Sequence, residues 1–567
     1  MTQKALTSAH HGHKVVHHTH ATVSSDCLGE AYADQHMEIP RRSELRRLRT
    51  TVTDTTVSDE LATDRASHAE SSPDVDHWSS AIRNYSIVGP EREEAMNKGL
   101  SGAVWYTTPL PRDEVRLLME RRDGPAARNT LLWLVFLVTS GYLAHRTFGT
   151  WWMIPTFFVY GTLYGSTSDA RWHECGHRTA FRTMWMNDIL YHVASFMSLR
   201  EAVSWRWSHV RHHSDTVIVG RDTEIAFERP MQARVVIKEC FGLSSGASEI
   251  KKVLRNVAGK LTAEELDYIP EAEQPKAIRT GRIYCILWIA TLAGAIAVRS
   301  VEPLLFVVGP SFYGRWLMVA YGITQHAGLA EDTLDHRLNS RSVRMNRVHR
   351  FLYMNMNYHA EHHMFPSVPY HSLPALNVAV QNDFPPMLPG FRATYRQIWV
   401  TYRCQQSDPT AFTDRRSELP NATARPPSDE VVRPTLLSGP VAGGWLDVGP
   451  SASLDKNNVI RVDVDGRTFA VYRLADGEVF ATDGLCTHAS VHLCDGLVID
   501  GQIECPKHNA RFDIATGRAL RRPATTDLAI HSARERDGRL ELSWAEMPEF
   551  AEHPISTKPS KSTKGTK

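Results

Sequence analysis

Four stretches with very few charged side chains interrupt an otherwise polar sequence. Uncharged runs of 17, 22 and 16 residues occupy positions 129–145, 147–168 and 283–298, and a fourth run, 303–330, has a single charge at Arg315. A helix needs about 20 apolar residues to cross a bilayer, and a short turn joins the members of each pair. The pattern predicts two helical hairpins, or about four transmembrane helices. The alternative is a set of buried core helices in a soluble enzyme.

Apolar and polar residues alternate near the C-terminus, which is the period-two pattern of β-strands. The alternation is clearest at 459–464, 468–473 and 540–544. Asp-Gly pairs at 465–466 and 476–477 supply the residues that tight turns prefer. These features predict a small all-β domain.

The remaining segments lack a regular apolar pattern. Residues 1–75 are rich in His, Ser, Thr, Asp and Arg, and residues 548–567 are basic, so both are predicted to be disordered tails. Residues 405–440 are rich in Pro, Ser, Thr and Arg, which predicts a linker. The chain is therefore predicted to be multidomain, with an all-α integral membrane bundle at 76–404 and the all-β domain at 441–547.

Composition narrows the choice of compartment and partners. The formal net charge is +1 with 22% charged residues, which gives no indication of nucleic acid binding. The 14 Trp residues suit a protein at a membrane surface, where Trp is enriched. Most of the eight cysteines are scattered, which favours a reducing compartment over a disulfide framework.

Three histidine boxes follow the apolar hairpins. They read HECGH at 173–177, HVRHH at 209–213 and HAEHH at 359–363. Residues three or four apart share one face of a helix, so each box projects several imidazoles in one direction. One metal ion rarely needs more than about six ligands, so eight imidazoles and a ninth candidate favour two ions. The candidate ligands are His173, His177, His209, His212, His213, His326, His359, His362 and His363.

Other side chains near the boxes are assigned supporting roles. Asn355 or Asn357 is a candidate oxygen ligand. Glu174 and Glu361 are expected to orient imidazoles, as carboxylates commonly do for ligating histidines. Four further histidines lack the one-face spacing and are expected to act outside the ligand set: His192, His336, His349 and His371.

The boxes resemble those of the membrane fatty acid desaturase and hydroxylase superfamily. The segment NYHAEHHMFP at 357–366 is especially similar to that family's third box. The resemblance implies a non-haem di-iron centre at the mouth of a membrane-embedded helical bundle, with dioxygen as co-substrate. The third box begins with His359 instead of Gln, unlike front-end desaturases that carry a fused b-type cytochrome. This departure implies a different electron donor.

A second metal motif lies in the predicted β-domain. Cys486-x-His488 and, after 16 intervening residues, Cys505-x-x-His508 offer two thiolates and two imidazoles. This donor set suits either zinc or a Rieske [2Fe-2S] cluster. Nearly the whole domain resembles the Rieske ferredoxins. That resemblance implies that Cys486 and Cys505 hold one iron while His488 and His508 hold the other.

Topology predicts that both metal motifs lie on one side of the membrane, because an even number of crossings separates them. Lys and Arg crowd that side, whereas the opposite turns carry only Arg146 and Arg299. The positive-inside rule therefore predicts a cytoplasmic location. The sequence has no glycine-rich dinucleotide motif after a strand. An external NAD(P)H-dependent ferredoxin reductase is expected to supply the electrons.

The expected function is that of a membrane-bound, dioxygen-dependent oxidoreductase of the fatty acid desaturase type. It would introduce a double bond or a hydroxyl group into an acyl or alkyl chain in lipid metabolism. One alternative is a hydroxylase or oxidative demethylase of a non-lipid small molecule. Another is a non-catalytic membrane electron-transfer protein. A soluble Rieske oxygenase fits less well, because such enzymes use a single mononuclear iron site.

Overall fold

The computed structural model describes residues 83–420, 435–436 and 444–543, except for Asp465, Ala489, Ser490 and His508. Both predicted tails, half of the predicted linker and the predicted cluster ligand His508 lie outside these residues. The described parts comprise a helical region followed by a small all-β region. This order agrees with the multidomain layout that the sequence predicts.

Nineteen α-helices form the described part of the first region. Their bounds are α1 Glu91–Asn97, α2 Arg112–Leu118, α3 Asp123–Thr147, α4 Met153–Gly161, α5 Thr167–Gly176, α6 Met184–Met197, α7 Ala202–Ser214, α8 Ala233–Cys240, α9 Ser245–Val257, α10 Ala263–Tyr268, α11 Gln274–Ala297, α12 Glu302–Val307, α13 Pro310–Tyr313, α14 Trp316–His326, α15 His336–Asn339, α16 Arg347–Leu352, α17 His359–Met364, α18 Leu373–Val380 and α19 Phe391–Gln405.

Helices α3 and α4 form the first hairpin. The turn between them contains Gly149, whose φ of 80° is a conformation that glycine adopts without strain. On the inner side, the ring of Tyr160 approaches Gly141 so closely that a Cβ there would lie 3.1 Å from the ring. On the outer side, Leu131 and Val138 are exposed. The hairpin therefore has a packed inner face and an apolar outer face.

A π-helical turn at Thr162–Ser166 joins α4 to α5, the helix that carries the first histidine box. Trp133 Nε1 donates to the carbonyl oxygen of Leu163 in this turn at 2.9 Å. The backbone of Gly314 crosses so closely that a Cβ on it would lie 1.8 Å from the oxygen of Gly161. Only glycine fits such a crossing. These contacts set the direction in which α5 presents its histidines.

Two helical segments of the described chain are long and apolar enough to cross a membrane, Glu271–Ala297 and Glu302–His326. They coincide with the second predicted hairpin. The helices of the first hairpin do not meet this criterion of length and apolar composition. Polar residues at both ends of α3 lower its mean hydropathy, and α4 runs for only nine residues before the π-helical turn.

The all-β region contains twelve described strands in three sheets. The strand bounds are β1 Thr435–Leu436, β2 Trp445–Pro450, β3 Asn458–Val464, β4 Arg467–Arg473, β5 Val479–Asp483, β6 Leu497–Ile499, β7 Gln502–Glu504, β8 Arg511–Asp513, β9 Ala519–Arg521, β10 Ile530–His531, β11 Ala533–Arg536 and β12 Arg539–Ser543. Strands β3, β4 and β5 form an antiparallel meander, flanked by β1 and β10. The order of the second sheet is β11-β12-β2, and that of the third is β6-β7-β8-β9.

The β-domain is docked on the helical domain through a buried ion cluster. Glu504 of β7 accepts hydrogen bonds from Arg511 Nε and Arg521 Nη2, each at 2.6 Å. Arg121, which lies between α2 and α3, donates to the same carboxylate at 3.1 Å. Although burial acts to raise it, the charges of Arg121 and Arg521 lower the pKa of Glu504 to about 2. Glu504 is therefore ionised at physiological pH, and its carboxylate links the two domains.

Residues 406–420, which the sequence assigns to the linker, pack on the helical domain. The backbone N–H of Thr413 donates to the carbonyl oxygen of Gly328 at 2.7 Å. The guanidinium of Arg415 is buried and donates to the carbonyl oxygen of Pro386 at 3.0 Å. This first part of the predicted linker therefore continues the helical domain.

Candidate metal centre

Three helices present the histidine boxes toward one another. Helix α5 carries the first box, α7 carries the second and α17 begins with the third. The start of α7 is fixed by Glu201, whose carboxylate accepts hydrogen bonds from the backbone N–H groups of Val203 and Ser204 at 3.1 and 2.7 Å. Such a cap satisfies donors at the helix start. It also sets which face of α7 carries the imidazoles.

All nine predicted imidazoles lie together, and they divide into two groups. Within each group one ring nitrogen from every member lies within 4.8 Å of the others. The first box contributes only to one group, whereas the second and third boxes are divided between both. The first group is His173, His177, His209, His213 and His362, and the second group is His212, His326, His359 and His363.

The ring nitrogens converge at metal-site spacing. In the first group, His209 Nε2 lies 3.0 Å from His177 Nε2 and 3.2 Å from His213 Nε2. In the second group, His359 Nε2 lies 2.9 Å from His326 Nε2 and 3.0 Å from His363 Nε2. Two nitrogens that bind one ion at about 2.1 Å lie about 3.0–3.4 Å apart. Each group therefore has the spacing of a shared metal ion.

The chemistry of the two groups also fits metal binding. Both ring nitrogens of His173 and of His362 are buried and make no hydrogen bond to any described residue. Burial and the charges of neighbouring histidines lower the pKa values of His173, His213 and His359 well below the ordinary value. These imidazoles are therefore neutral, with a lone pair free for a metal. Neutral imidazole suits iron.

Two carboxylates behind the second box support its imidazoles. His212 Nδ1 lies 2.9 Å from both carboxylate oxygens of Asp222. His209 Nδ1 lies 3.1 Å from Glu224 Oε2. Such contacts fix the tautomer that turns Nε2 toward the metal. The sequence interpretation missed both residues, although the pair of acids in RDTE at 221–224 closely follows the second box.

The Asp222→Asn variant is expected to bind iron about 10- to 100-fold more weakly than the wild type. Asparagine keeps the size of the side chain but removes the charge that orients His212. Iron content after dialysis against graded chelator concentrations measures the effect. Glu228→Gln is the matched control, because Glu228 is an exposed carboxylate on the same segment. Equal iron retention by Asp222→Asn and the control would contradict the supporting role.

The carboxylates inside the boxes do not orient imidazoles, contrary to the sequence expectation. Glu174 accepts hydrogen bonds from Thr179 Oγ1 at 2.7 Å and from the backbone N–H of Tyr370 at 3.0 Å. Glu361 accepts from Ser342 and Asn377. Both acids accept hydrogen bonds from residues outside the histidine groups, so they join the box helices to neighbouring segments.

The remaining sequence candidates lie around the groups. Asn355 Oδ1 accepts a hydrogen bond from Arg350 Nε at 2.9 Å, which occupies the oxygen proposed for a metal. Asn357 Oδ1 is buried and makes no hydrogen bond within the described chain, so Asn357 is the better oxygen candidate. The ring of His336 stacks on Trp105 with a centroid separation of 4.3 Å. His336, His192, His349 and His371 belong to neither group.

The cysteines of the second motif lie in two loops of the β-domain. Cys486 follows β5, Cys505 follows β7, and both are buried in the same apolar cluster. Cys486 N donates to Val491 O and Cys505 N donates to Ala510 O, each at 2.8 Å. These bonds close each loop around its cysteine. The structure describes His488 on the first loop, whereas His508 lies outside the described residues.

The cluster-bearing loops face the histidine groups. Asn509 Nδ2 donates to the carbonyl oxygen of His177 at 3.0 Å. Lys507 Nζ donates to the carbonyl oxygen of Ser214, next to the second box, at 3.3 Å. The ring of His488 lies 6.4 Å from the ring of Trp207 on α7. The second metal motif is therefore in contact with the helices that carry the first.

Comparison with known proteins assigns a family to each region. Residues 149–396 match the model of the fatty acid desaturase family, and residues 444–532 match the Rieske [2Fe-2S] domain. The first match contains all three histidine boxes. The second contains both cysteine-histidine pairs. A di-iron centre and a [2Fe-2S] cluster follow from these families, which confirms both cofactor predictions.

Individual relatives match the β-domain. The ferredoxin component of a naphthalene 1,2-dioxygenase/salicylate 5-hydroxylase system from Ralstonia sp. is 37% identical over 98 residues, which are 17% of this chain and 93% of the relative. The naphthalene 1,2-dioxygenase ferredoxin component of Pseudomonas aeruginosa is 39% identical over 87 residues, or 15% and 83% of the two chains. A solved structure of Sphingomonas yanoikuyae B1 ferredoxin is 36% identical, with a TM-score of 0.17, and the match covers 17% and 96% of the chains. The protein therefore belongs to the Rieske [2Fe-2S] ferredoxin family through its C-terminal domain and carries a fatty acid desaturase domain, which makes it a dioxygen-dependent oxidoreductase with its own electron-transfer domain.

Proposed function

We propose that this protein inserts a double bond or a hydroxyl group into an acyl or alkyl chain at a membrane. The observation that carries the proposal is the gathering of nine imidazoles into two groups beside the loops of the Rieske domain. When bound, two irons would supply dioxygen activation and the cluster would supply electrons one at a time. Formation of either the double bond or the hydroxyl group consumes one dioxygen, two electrons and two protons.

The two histidine groups are proposed as the sites of the two irons. The group with His173 and His362 would hold one iron, and the group with His326 and His359 would hold the other. Burial lowers the pKa values of six of these imidazoles, so protons compete little for their ring nitrogens. Cys486, His488, Cys505 and His508 are proposed as the cluster ligands.

Asn509 is proposed to keep the cluster within electron-transfer range of the first histidine group. It follows the proposed cluster ligand His508, is 2% exposed and donates to the backbone of His177. Its side-chain oxygen also accepts a hydrogen bond from Ser367 of the helical domain. Two bonds from one buried amide hold the cluster loop against the helical domain.

The Asn509→Ala variant is expected to transfer electrons from the reduced cluster about tenfold more slowly, because loss of hydrogen bonds worth roughly 1–1.5 kcal/mol weakens docking. Stopped-flow reoxidation of chemically reduced protein measures the rate. Limited proteolysis between the domains provides a second readout that does not depend on turnover.

Asn382→Ala is the matched control, because Asn382 is exposed on the helical domain. If Asn509→Ala reoxidises at the control rate and resists protease equally, Asn509 does not hold the loop. A slower rate with unchanged protease sensitivity would assign Asn509 to electron transfer without a docking role.

Four membrane crossings are proposed, two from α11 to α14 and two from α3 to the π-helical turn after α4. Outward side chains of α11 such as Ile286 and Ile289 are more than half exposed, and Trp151 and Trp152 lie exposed in the turn between α3 and α4. Exposed apolar helix faces with Trp at one end suit a bilayer. The positive-inside argument supports a cytoplasmic position for the metal sites and an external reductase on that side.

Dioxygen uptake by the purified, iron-loaded protein tests the proposed function. With NAD(P)H, a ferredoxin reductase and acyl lipids, we expect uptake that depends on lipid and yields an unsaturated or hydroxylated chain in mass spectra. If reduced protein consumes dioxygen only with a non-lipid small molecule, the lipid assignment is wrong and the hydroxylase alternative holds. If it consumes none with any substrate, electron transfer without catalysis is the function.

A further inference from the structure

A groove separates the two helical hairpins near the turns that connect their helices. One wall is α3, with Leu137, Val138 and Gly141, and the other wall runs from the end of α11 into α12. The groove has a volume of about 730 Å³, which is within the range of ligand sites, and it is open along one side. A ligand in this groove would touch both hairpins.

The groove is apolar along most of its length and polar at one end. Tyr160 and Phe306 line the apolar part, where their rings lie 5.0 Å apart and the Tyr160 hydroxyl donates to the carbonyl oxygen of Phe306 at 2.9 Å. At the polar end, His145 Nδ1 lies 2.6 Å from Glu302 Oε1, which links α3 to α12. This arrangement suits an amphipathic ligand.

Positive charge predominates at the polar end. Arg146 follows the lining residue His145, and Arg299 precedes the lining residue Ser300. Both arginines are exposed. Among the described residues that line the groove, Glu302 is the only carboxylate, and it already pairs with His145. The two guanidiniums therefore favour a ligand with an anionic group at this end.

The polar end lies where the proposed crossings reach the membrane surface. Trp151 and Trp152 are exposed in the adjacent turn between α3 and α4, and Trp is enriched where membranes meet water. Val138 and Val298, at the edges of the groove, are 69% and 63% exposed. Water finds few hydrogen-bonding partners on such a surface at membrane depth, so a lipid chain is the favoured occupant.

The groove is separate from the metal centre. Asn129, near the start of α3, accepts a hydrogen bond from Arg171 of the first-box helix at 2.7 Å. Gly141 lies further along α3, at a distance of about 18 Å for a rise of 1.5 Å per residue. The lining residues include none of the nine imidazoles. A ligand here would therefore act on the packing of the hairpins and not as the molecule that is oxidised.

We infer that the groove binds a phospholipid, with one acyl chain between the hairpins and the phosphate beside Arg146 and Arg299. The lipid fills the space between α3 and α12 and holds the two hairpins together at the ends opposite to the metal centre. The inference goes beyond the proposed oxidation, since it rests on the proposed membrane crossings and not on the identity of the substrate.

Native mass spectrometry of the full-length protein, delipidated in detergent, tests the inference with two probes. Dioleoylphosphatidylglycerol and dioleoylglycerol have the same two chains, but only the first has a phosphate. We expect the phospholipid to bind at least about tenfold tighter, because hydrogen bonds to charged groups are strong. The double variant Arg146→Gln, Arg299→Gln is expected to remove this preference and to leave the affinity for dioleoylglycerol unchanged. Equal affinity of the wild type for the two probes would overturn the inference.

The Val138→Trp variant is expected to fill the groove and to weaken binding of the phospholipid about tenfold or more, since each displaced methylene corresponds to about fourfold in Kd. Leu131→Trp is the matched control, because Leu131 is exposed on the same face of α3, two turns away and outside the groove. Unchanged iron content and an unchanged Rieske spectrum verify that both variants are folded.

Two further results would contradict a phospholipid site. One is equal affinity of Val138→Trp and Leu131→Trp for the phospholipid. The other is a wild-type dimer that Val138→Trp converts to a monomer in light scattering, which would assign the groove to a second copy of the chain. These measurements record binding and assembly without turnover. Dioxygen uptake therefore judges the proposed oxidation separately.

Discussion

The His362→Ala variant is expected to lose more than about 100-fold of dioxygen-dependent turnover, because even a supporting contact of a ligand contributes 10- to 100-fold. His362 is fully buried, and neither of its ring nitrogens makes a hydrogen bond within the described chain. Its ring centroid lies 4.7 Å from that of His173 and 4.8 Å from that of His177. We therefore expect a metal ion to be the partner of this imidazole.

The measurement combines iron content, turnover and the Rieske electron paramagnetic resonance signal. We expect iron to fall at the di-iron centre while the Rieske signal is retained, since His362 lies outside the β-domain. His192→Ala is the control, because His192 is exposed and belongs to neither histidine group. A folded His362→Ala protein with full iron content and normal turnover would show that the first group does not bind iron through this residue.

The Cys505→Ala variant is expected to lose the Rieske signal entirely and to lose turnover driven by NAD(P)H and a reductase. A thiolate ligand cannot be replaced by a methyl group, and Cys505 is buried, so water has little access to fill the position. Iron at the di-iron centre is expected to remain, because the histidine groups contain no residue of the β-domain.

Cys494→Ala provides the matched control for this change. Cys494 is buried in the same apolar cluster as Cys505 but lies outside the proposed ligand set. We expect this control to keep the cluster signal and most of the turnover. If Cys505→Ala abolished both metal centres in folded protein, the assignment of two independent sites would be wrong. If the control also lost the cluster, loss of the signal would not identify Cys505 as a ligand.

The box spacing singled out the histidines that the structure brings together, but not their division into two groups. Residues three and four apart share a helix face, which brings the imidazoles of each box together whatever the rest of the fold does. The division depends on contacts between helices. His212 and His213 are adjacent in sequence, yet they enter different groups because neighbouring residues on a helix point about 100° apart.

The supporting residues were harder to predict. Asp222 reaches His212 from a loop, and the sequence contains many Asp residues with no metal nearby. Glu174 and Glu361 were the obvious candidates because they lie inside the boxes, but both accept hydrogen bonds from residues outside the histidine groups. The membrane hairpins were predicted from apolar stretches that short turns join in pairs. The π-helical turn after α4 had no sequence signal strong enough to anticipate it.

The sequence by itself determined the two families, the donor types and the order of domains, because these depend on residue identity and on short-range spacing. Only the tertiary structure decided how the nine imidazoles divide between two groups, which carboxylates support them and where the Rieske domain sits. Each of these depends on contacts between residues far apart in the chain. Asn509 and His177 are 332 residues apart and still share a hydrogen bond. No local pattern encodes such a pairing, because it is set by the packing of whole domains.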